Sequence, residues 1–173
     1  MDGGLGMILI REATKKDAQQ IMEHTKKITG TSKFMVMLSE ELNQDLKEEQ
    51  KRIEQQIQAG GLVLVAEDKG KIIGLLSLRA EKIKRLKHVA TMAIDIQEEY
   101  CNQGIGTKLL SYMIDWTKKN SQIEKICLHV LSSNERAIHV YKKIGFVEEG
   151  RRVDHIKMTN DCYVDDVLMH LKV

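Results

Sequence analysis

The stretch Glu98–Leu110 reads EEYCNQGIGTKLL. The run before it, His88–Gln97, reads as a buried strand. After it Ile105, Leu109, Met113 and Trp116 recur on one side of a helix spanning roughly Gly104 to Asn120. Glycines where a strand turns into a helix let backbone N–H groups approach an anion, and the helix N-terminus favours the same anion. The stretch therefore raises the question of whether it holds a phosphate. A Gly-x-Gly alone is common in turns and does not say whose phosphate it is.

Working outward, Met7–Arg11 reads as a short strand. Thr14-Lys15-Lys16-Asp17 has capping-box spacing and opens a helix with the apolar face Ala18, Ile21, Met22, Thr25 and Ile28. Ser39-Glu40-Glu41 reads as a second helix start, with Leu42, Leu46, Ile53 and Ile57 at helical spacing until Gly60-Gly61. Between these helices, Gly30–Leu38 is a loop carrying Phe34, Met35, Met37 and Leu38, which needs a core or a ligand to cover it. Leu62–Glu67 and Ile72–Ala80 form an antiparallel hairpin around Asp68-Lys69-Gly70-Lys71, and the basic Lys82–His88 is the next connection. Lys125–Leu131 is a strand and Asn134–Ile144 a helix ended by Gly145. Phe146–Arg151 and Tyr163–Leu171 are strands around a tip near Thr159-Asn160-Asp161. The order β-α-α-β-β-β-α-β-α-β-β predicts an α/β (α+β) fold, a mixed, mostly antiparallel sheet of about seven strands with helices on both faces.

The chain's 173 residues suffice for one domain with a core and are short for two. Residues 7–173 read as that domain, and the leading MDGGLG, residues 1–6, as a leader or expression remnant. A net charge of +2 makes no electrostatic case for nucleic acid or a membrane surface, and no apolar run approaches membrane-spanning length. Cys101, Cys127 and Cys162 are widely spaced and odd in number, against a disulfide framework or zinc site and in keeping with a reducing cytoplasm. The six histidines, His24, His88, His129, His139, His155 and His170, show no metal-ligand spacing.

Downstream of the quoted stretch stands Leu128-His129-Val130-Leu131-Ser132-Ser133-Asn134-Glu135-Arg136-Ala137-Ile138-His139-Val140-Tyr141-Lys142-Lys143-Ile144-Gly145-Phe146. The strand, Asn-x-x-Ala, Tyr and Gly-Phe in this order are far more specific than the glycines. With both motifs and the element order over Met7–Val173, the chain resembles the GNAT superfamily of acetyl-CoA-dependent N-acetyltransferases, and uncharacterised bacterial members in particular. The resemblance implies a sheet splayed between its fourth and fifth strands. It also implies transfer of an acetyl group from acetyl-CoA to a primary amine of a small molecule or peptide, by direct attack in a ternary complex. Homodimers are common in that family, and no segment of this chain announces an interface.

The same resemblance assigns the site. Cys101, Asn102, Gln103, Gly104, Ile105, Gly106 and Thr107 would hold the pyrophosphate of acetyl-CoA, with Gly104 and Gly106 clearing side chains from its approach. Cys101 stands where the family has Arg or Gln, so a charged or amide contact is missing. Ile94, Asp95 and Ile96 would line the pantetheine arm through their strand, with the Ile94 N–H polarising the thioester carbonyl. Asn134 fits both a helix N-cap and a contact to the pantetheine. Tyr141 would be the general acid that protonates the departing thiolate. The general base is the open position. Many relatives carry a Glu on the strand before the loop, where Thr91 and Ala93 stand here; Asp95 is the candidate, with its reading as a structural or surface carboxylate, and a water relay in its place, as the alternatives. Glu98 and Glu99 read as solvated charges, Lys82–Lys87 as a solvated hairpin tip, and Phe34–Leu38 as a wall of the acceptor pocket or a cover for the core.

The rival from another class is a non-catalytic acyl-CoA-binding or sensor module on the same fold. A nucleotide-binding module is a third reading, and the chain lacks the Gly-x-x-x-x-Gly-Lys-Ser/Thr pattern it would call for.

Overall fold

In the computed structural model, which describes residues 7–119 and 122–173, the central hairpin is set by its turn. Lys69 and Gly70 both have positive φ, 49° and 80°, the two-residue geometry whose twist matches the flanking strands. It joins β2 (Leu62–Asp68) to β3 (Lys71–Ala80), antiparallel from Asp68↔Lys71 to Leu62↔Leu78. β1 (Leu9–Glu12) pairs with the far edge of β2, and β4 (Val89–Ile96) with the far edge of β3.

Between β1 and β2 run α1 (Ala18–Thr31) and α2 (Leu46–Gln58). Beyond β4 come α3 (Ile105–Lys119), β5 (Lys125–Leu131), α4 (Glu135–Ile144), β6 (Val147–Thr159) and β7 (Cys162–Lys172). The sheet order is β1-β2-β3-β4-β5-β7-β6, antiparallel except for β4 and β5. Strand alternation in β2 serves two cores. Val63 and Val65 pack with Ala18, Ile21 and Ile53 of the first two helices, while Leu62, Leu64 and Ala66 pack with Leu109 and Met113 of α3. Helices thus cover both faces, as expected.

The feature that positions the site is a gap. β4 and β5 pair only from Val89↔Lys125 to Met92↔Leu128; beyond that β4 continues to Ile96 and β5 to Leu131 without pairing. In β4 the Val89 carbonyl and the Gln97 N–H both bond toward β3. Alternation then turns the backbone N–H and C=O of Ile94 and Ile96 into the gap, and those of Asp95 toward β3. The splay lies where the resemblance implied it.

Several boundaries differ from the sequence expectation. Ser39–Glu41 is a single 3-10 turn, and α2 begins at Leu46, where the Asp45 side chain accepts from the N–H groups of Lys47 and Glu48. The expected start failed because Asp45 offers the same capping chemistry directly before the helix. Of that helix's predicted apolar face only Ile53 is buried; Leu46 and Ile57 are exposed. α1 runs through Gly30 to Thr31, shortening the loop, and β6 extends well past Arg151, with register shifts around Asp154. The Thr14–Asp17 capping box and the Asn134 cap form as read. No helix among the described residues is long and apolar enough to cross a membrane. The expected leader, residues 1–6, lies outside the described residues.

Candidate active site

The quoted loop leaves β4 through a 3-10 turn at Glu98–Tyr100, closed by the Cys101 N–H on the Glu98 carbonyl at 3.1 Å. Asn102 (φ 61°) and Gly104 (φ 76°) then take left-handed backbone conformations that swing the chain into α3. Lys108 bonds back to the Gly104 carbonyl at 3.0 Å, so the N–H groups of Ile105, Gly106 and Thr107 belong to the helix start and lack intrahelical partners. A Cβ on Gly104 would meet no protein atom within 4 Å, and its positive φ is what favours glycine there. A Cβ on Gly106 would lie 3.4 Å from Ile96 Cδ1, an ordinary contact between α3 and β4.

A cavity of about 230 Å3 opens between the splayed edge of β4, this loop and the N-termini of α3 and α4. Every residue expected to meet the cofactor lines it except Gln103, whose side-chain amide donates to the Glu99 carbonyl at 3.0 Å instead. Ile94, Asn134 and Tyr141 also border a second cavity of about 600 Å3, walled by Phe34 and Val36 and by His129, His155, Lys157 and Asp166. Phe34 and Met35 line the first cavity, and Phe34 and Val36 the second. Asp166 is already engaged, accepting from His129 Nδ1 at 2.9 Å and Arg152 Nη1 at 3.3 Å.

Asn134 caps α4, its Oδ1 accepting from the Ala137 N–H at 3.2 Å. Two turns on, Tyr141 is buried, its ring tilted against Phe146 with centroids 5.8 Å apart. Burial, and after it the charge of Asp95, pushes the Tyr141 phenol far above the ordinary tyrosine range. The two expected catalytic side chains line the same cavity.

Asp95 is not a solvated surface carboxylate. Its Oδ1 is hydrogen-bonded to Nε2 of His24, a fully buried imidazole on α1, and Gln97 Nε2 contacts His24 Nδ1 at 3.2 Å. His24 was passed over in the sequence, although it lies on the α1 stripe with Ile21 and Ile28. Arg136 was missed as well. From the first turn of α4 it donates through Nη1 and Nη2 to Glu98, both at 3.1 Å, and Nη2 lies 3.4 Å from Cys101 Sγ. The cation absent from position 101 is thus supplied to the same place from another element. Glu98 and Glu99 are exposed charges, as read, and each has a partner: Arg136 holds Glu98, and Lys27 holds Glu99, below the usual carboxylate range. Burial raises the Cys101 thiol, with Arg136 only partly opposing it, which argues against a reactive thiolate.

The Acetyltransferase (GNAT) family profile matches residues 31–146. The L-amino acid N-acetyltransferase of Escherichia coli K12 is 33% identical over 106 residues, 61% of this chain and 65% of that protein. The spermidine N(1)-acetyltransferase of Vibrio cholerae is 33% identical over 108 residues, 62% of this chain and 61% of that protein. The matched stretch therefore spans less than two thirds of either relative. A GNAT-family acetyltransferase from Streptococcus pneumoniae has the same fold, with a TM-score of 0.91, 28% identity, and coverage of 96% of this chain and 99% of that one. The motifs, the splayed sheet and the profile match together settle the family, and this chain belongs to the GNAT acetyltransferases.

Proposed function

We propose that this protein is an acetyl-CoA-dependent N-acetyltransferase that acts on a primary amine by direct attack in a ternary complex. The observation that carries the reading is that Asp95 and Tyr141 line one cavity, beside the unpaired edge of β4.

The residues fit the co-substrate. The amides of Asn102–Thr107 at the α3 N-terminus, with the Arg136 guanidinium, would take the pyrophosphate. The Ile94 and Ile96 backbone groups facing the gap would take the pantetheine amides as an added strand would, with Asn134 beside them. The acceptor would enter through the second cavity. Relatives named for amino acids and for spermidine leave its class within primary amines.

Amines are mostly protonated at neutral pH, so Asp95 first takes a proton from the bound ammonium. The freed nitrogen lone pair then attacks the thioester carbonyl carbon, and the Ile94 N–H receives the charge that develops on oxygen. Collapse re-forms the carbonyl and breaks the carbon–sulfur bond, while Tyr141 lends its phenolic proton to the departing sulfur. Tyr141 regains a proton from the nitrogen that has become an amide, and Asp95 releases its own to water. The two groups are coupled: Asp95 as a carboxylate makes Tyr141 a weaker acid, and once protonated by the substrate it lifts that restraint.

We place the enzyme in a bacterial cytoplasm, supported by the unpaired thiols of Cys101, Cys127 and Cys162 and by the bacterial relatives. A free-thiol assay with acetyl-CoA across amino acids, polyamines and peptides tests the reading. Thiol release that Asp95→Asn and Tyr141→Phe both suppress is expected. Thermal stabilisation by acetyl-CoA without turnover on any amine would leave the binding-module alternative. No stabilisation at all would remove acetyl-CoA from the account.

A further inference from the structure

Asp95 receives its hydrogen bond from the end of a buried polar chain whose direction is fixed by chemistry. Lys27 Nζ can only donate, and it donates to Gln97 Oε1 at 2.8 Å. The Ile72 carbonyl can only accept, and it accepts from Gln97 Nε2 at 3.2 Å. The Gln97 amide, itself buried, is therefore oriented at both ends and presents its NH2 to His24 Nδ1 at 3.2 Å. Nδ1 must accept, which places the His24 hydrogen on Nε2, aimed at the acceptor-only carboxylate of Asp95. A proton on Nδ1 would set two donors against each other. Relieving that by turning the Gln97 amide would put its NH2 against the Lys27 ammonium.

We infer that His24, held in this tautomer by Gln97 and Lys27, is the positioning residue of the reaction, fixing the orientation of the Asp95 side chain where it lines the cavity. A neutral donor suits this task. It locks the Asp95 rotamer through a hydrogen bond without setting a second charge beside the carboxylate. Asp95 is the partly open end of the chain, its side chain 26% exposed against 0% for that of His24. The inference rests on the reading of Asp95 as the base. Besides His24, the titratable groups around this carboxylate are Tyr141 on α4 and, behind Gln97, Lys27 on α1 with its partner Glu99 on the loop.

The test is kcat and KM for the wild type and His24→Leu, His24→Gln, Gln97→Glu and Asp95→Asn, read with imidazole nitrogen NMR. His24→Leu lowers kcat by about 100-fold while KM for acetyl-CoA stays within about twofold. His24→Gln, whose amide N–H reaches the position of Nε2, restores most of the rate. Gln97→Glu sets an acceptor against Nδ1, draws the ring hydrogen away from Nε2, and lowers kcat with KM for acetyl-CoA unchanged. This variant keeps the test intact should His24→Leu not fold. In the wild type NMR shows a ring protonated at Nε2. An Nδ1-protonated ring, or a His24→Leu kcat equal to wild type while Asp95→Asn is slow, overturns the positioning role and leaves Asp95 as base. A fully active Asp95→Asn removes the base itself, and the inference with it.

Discussion

Arg136 on α4 closes a bidentate pair with Glu98 across the loop that leads into α3, both contacts at 3.1 Å. Glu98 is 67% exposed on its side chain, so solvent screens the attraction and the pair holds Arg136 weakly. A pyrophosphate reaching the loop offers more charge and the same two-point contact. On the proposed binding mode Arg136 would change partner when acetyl-CoA binds, and the two members of the pair would have opposite effects. Arg136→Ala weakens acetyl-CoA binding by about tenfold, the loss of one charge-assisted contact, and flattens its salt dependence. Glu98→Gln, which removes the competitor, tightens binding by about two- to fivefold. Calorimetric titration of acetyl-CoA at low and moderate salt reads both. An Arg136→Ala dissociation constant equal to wild type would put the guanidinium outside the phosphate site.

Tyr141→Phe separates chemistry from binding. The hydroxyl is predicted to act only as sulfur departs, so kcat falls by about 100- to 1,000-fold while acetyl-CoA affinity holds. The same residue marks the alkaline edge of stability. Burial, then Asp95, raises the folded phenol above its unfolded value of about 10, so its contribution is fully present below that pH and is lost as pH rises through the folded value. Above pH 10 wild type therefore loses stability that Tyr141→Phe retains, which denaturant midpoints between pH 8 and about 11 would show. Parallel curves for the two proteins would contradict the buried neutral phenol.

The fold was legible because its signals are local and repeated: Lys69-Gly70 for the hairpin, Asn134 for a cap, and helical spacing at Ile105, Leu109 and Met113. Gly104 and Tyr141 were legible through motif. His24 was not, because a histidine among Ile21 and Ile28 looks like one more face residue until folding brings β4 and Asp95 beneath it. Arg136 stood inside the motif and was given no role, since the residue it stands in for, at position 101, is distant in sequence and adjacent only across the loop. The chain shows spacing along itself; it does not show which side chains from separate elements share a partner. The false start at Ser39 has a different cause, two stretches with equal capping chemistry close together, between which only packing chooses.

The two glycines separate by experiment. Gly104→Ala forces a side chain into a left-handed conformation without any clash, at a cost of about 1 kcal/mol, and it weakens acetyl-CoA binding because the loop amides turn. Gly106→Ala meets only the flexible end of Ile96, and its gain in helix propensity offsets the contact, leaving stability within about 0.5 kcal/mol of wild type. Gly106→Val cannot keep α3 against β4 and loses both stability and binding. Melting temperatures and acetyl-CoA titrations of the three variants check the order. A larger stability loss for Gly106→Ala than for Gly104→Ala would reverse the assignment.

The seat of α1, and so of His24, depends on Arg11. Its Nη1 and Nη2 grip Asp17 at 2.9 and 2.7 Å, while Nε and Nη2 reach Glu67 on β2 at 3.0 and 2.8 Å. Asp17 also accepts from the Thr14 N–H at 2.8 Å, so one carboxylate joins the cap of the helix to the sheet. Asp17→Asn breaks the two-point contact and costs about 1–2 kcal/mol, lowering Tm by roughly 3–8 °C. The cost depends on pH with a defined sign. Arg11 above all holds the Asp17 carboxyl below the usual carboxylate range, so its contribution is present above the unfolded value of about 3.9 and is lost as pH falls through the folded one. The stability gap between wild type and Asp17→Asn is therefore full at pH 7 and shrinks below about pH 4, as denaturant midpoints at pH 7, 4 and 3 would record. A gap that persists undiminished at pH 3 would assign the effect to packing at the start of α1 and not to the charge on Asp17.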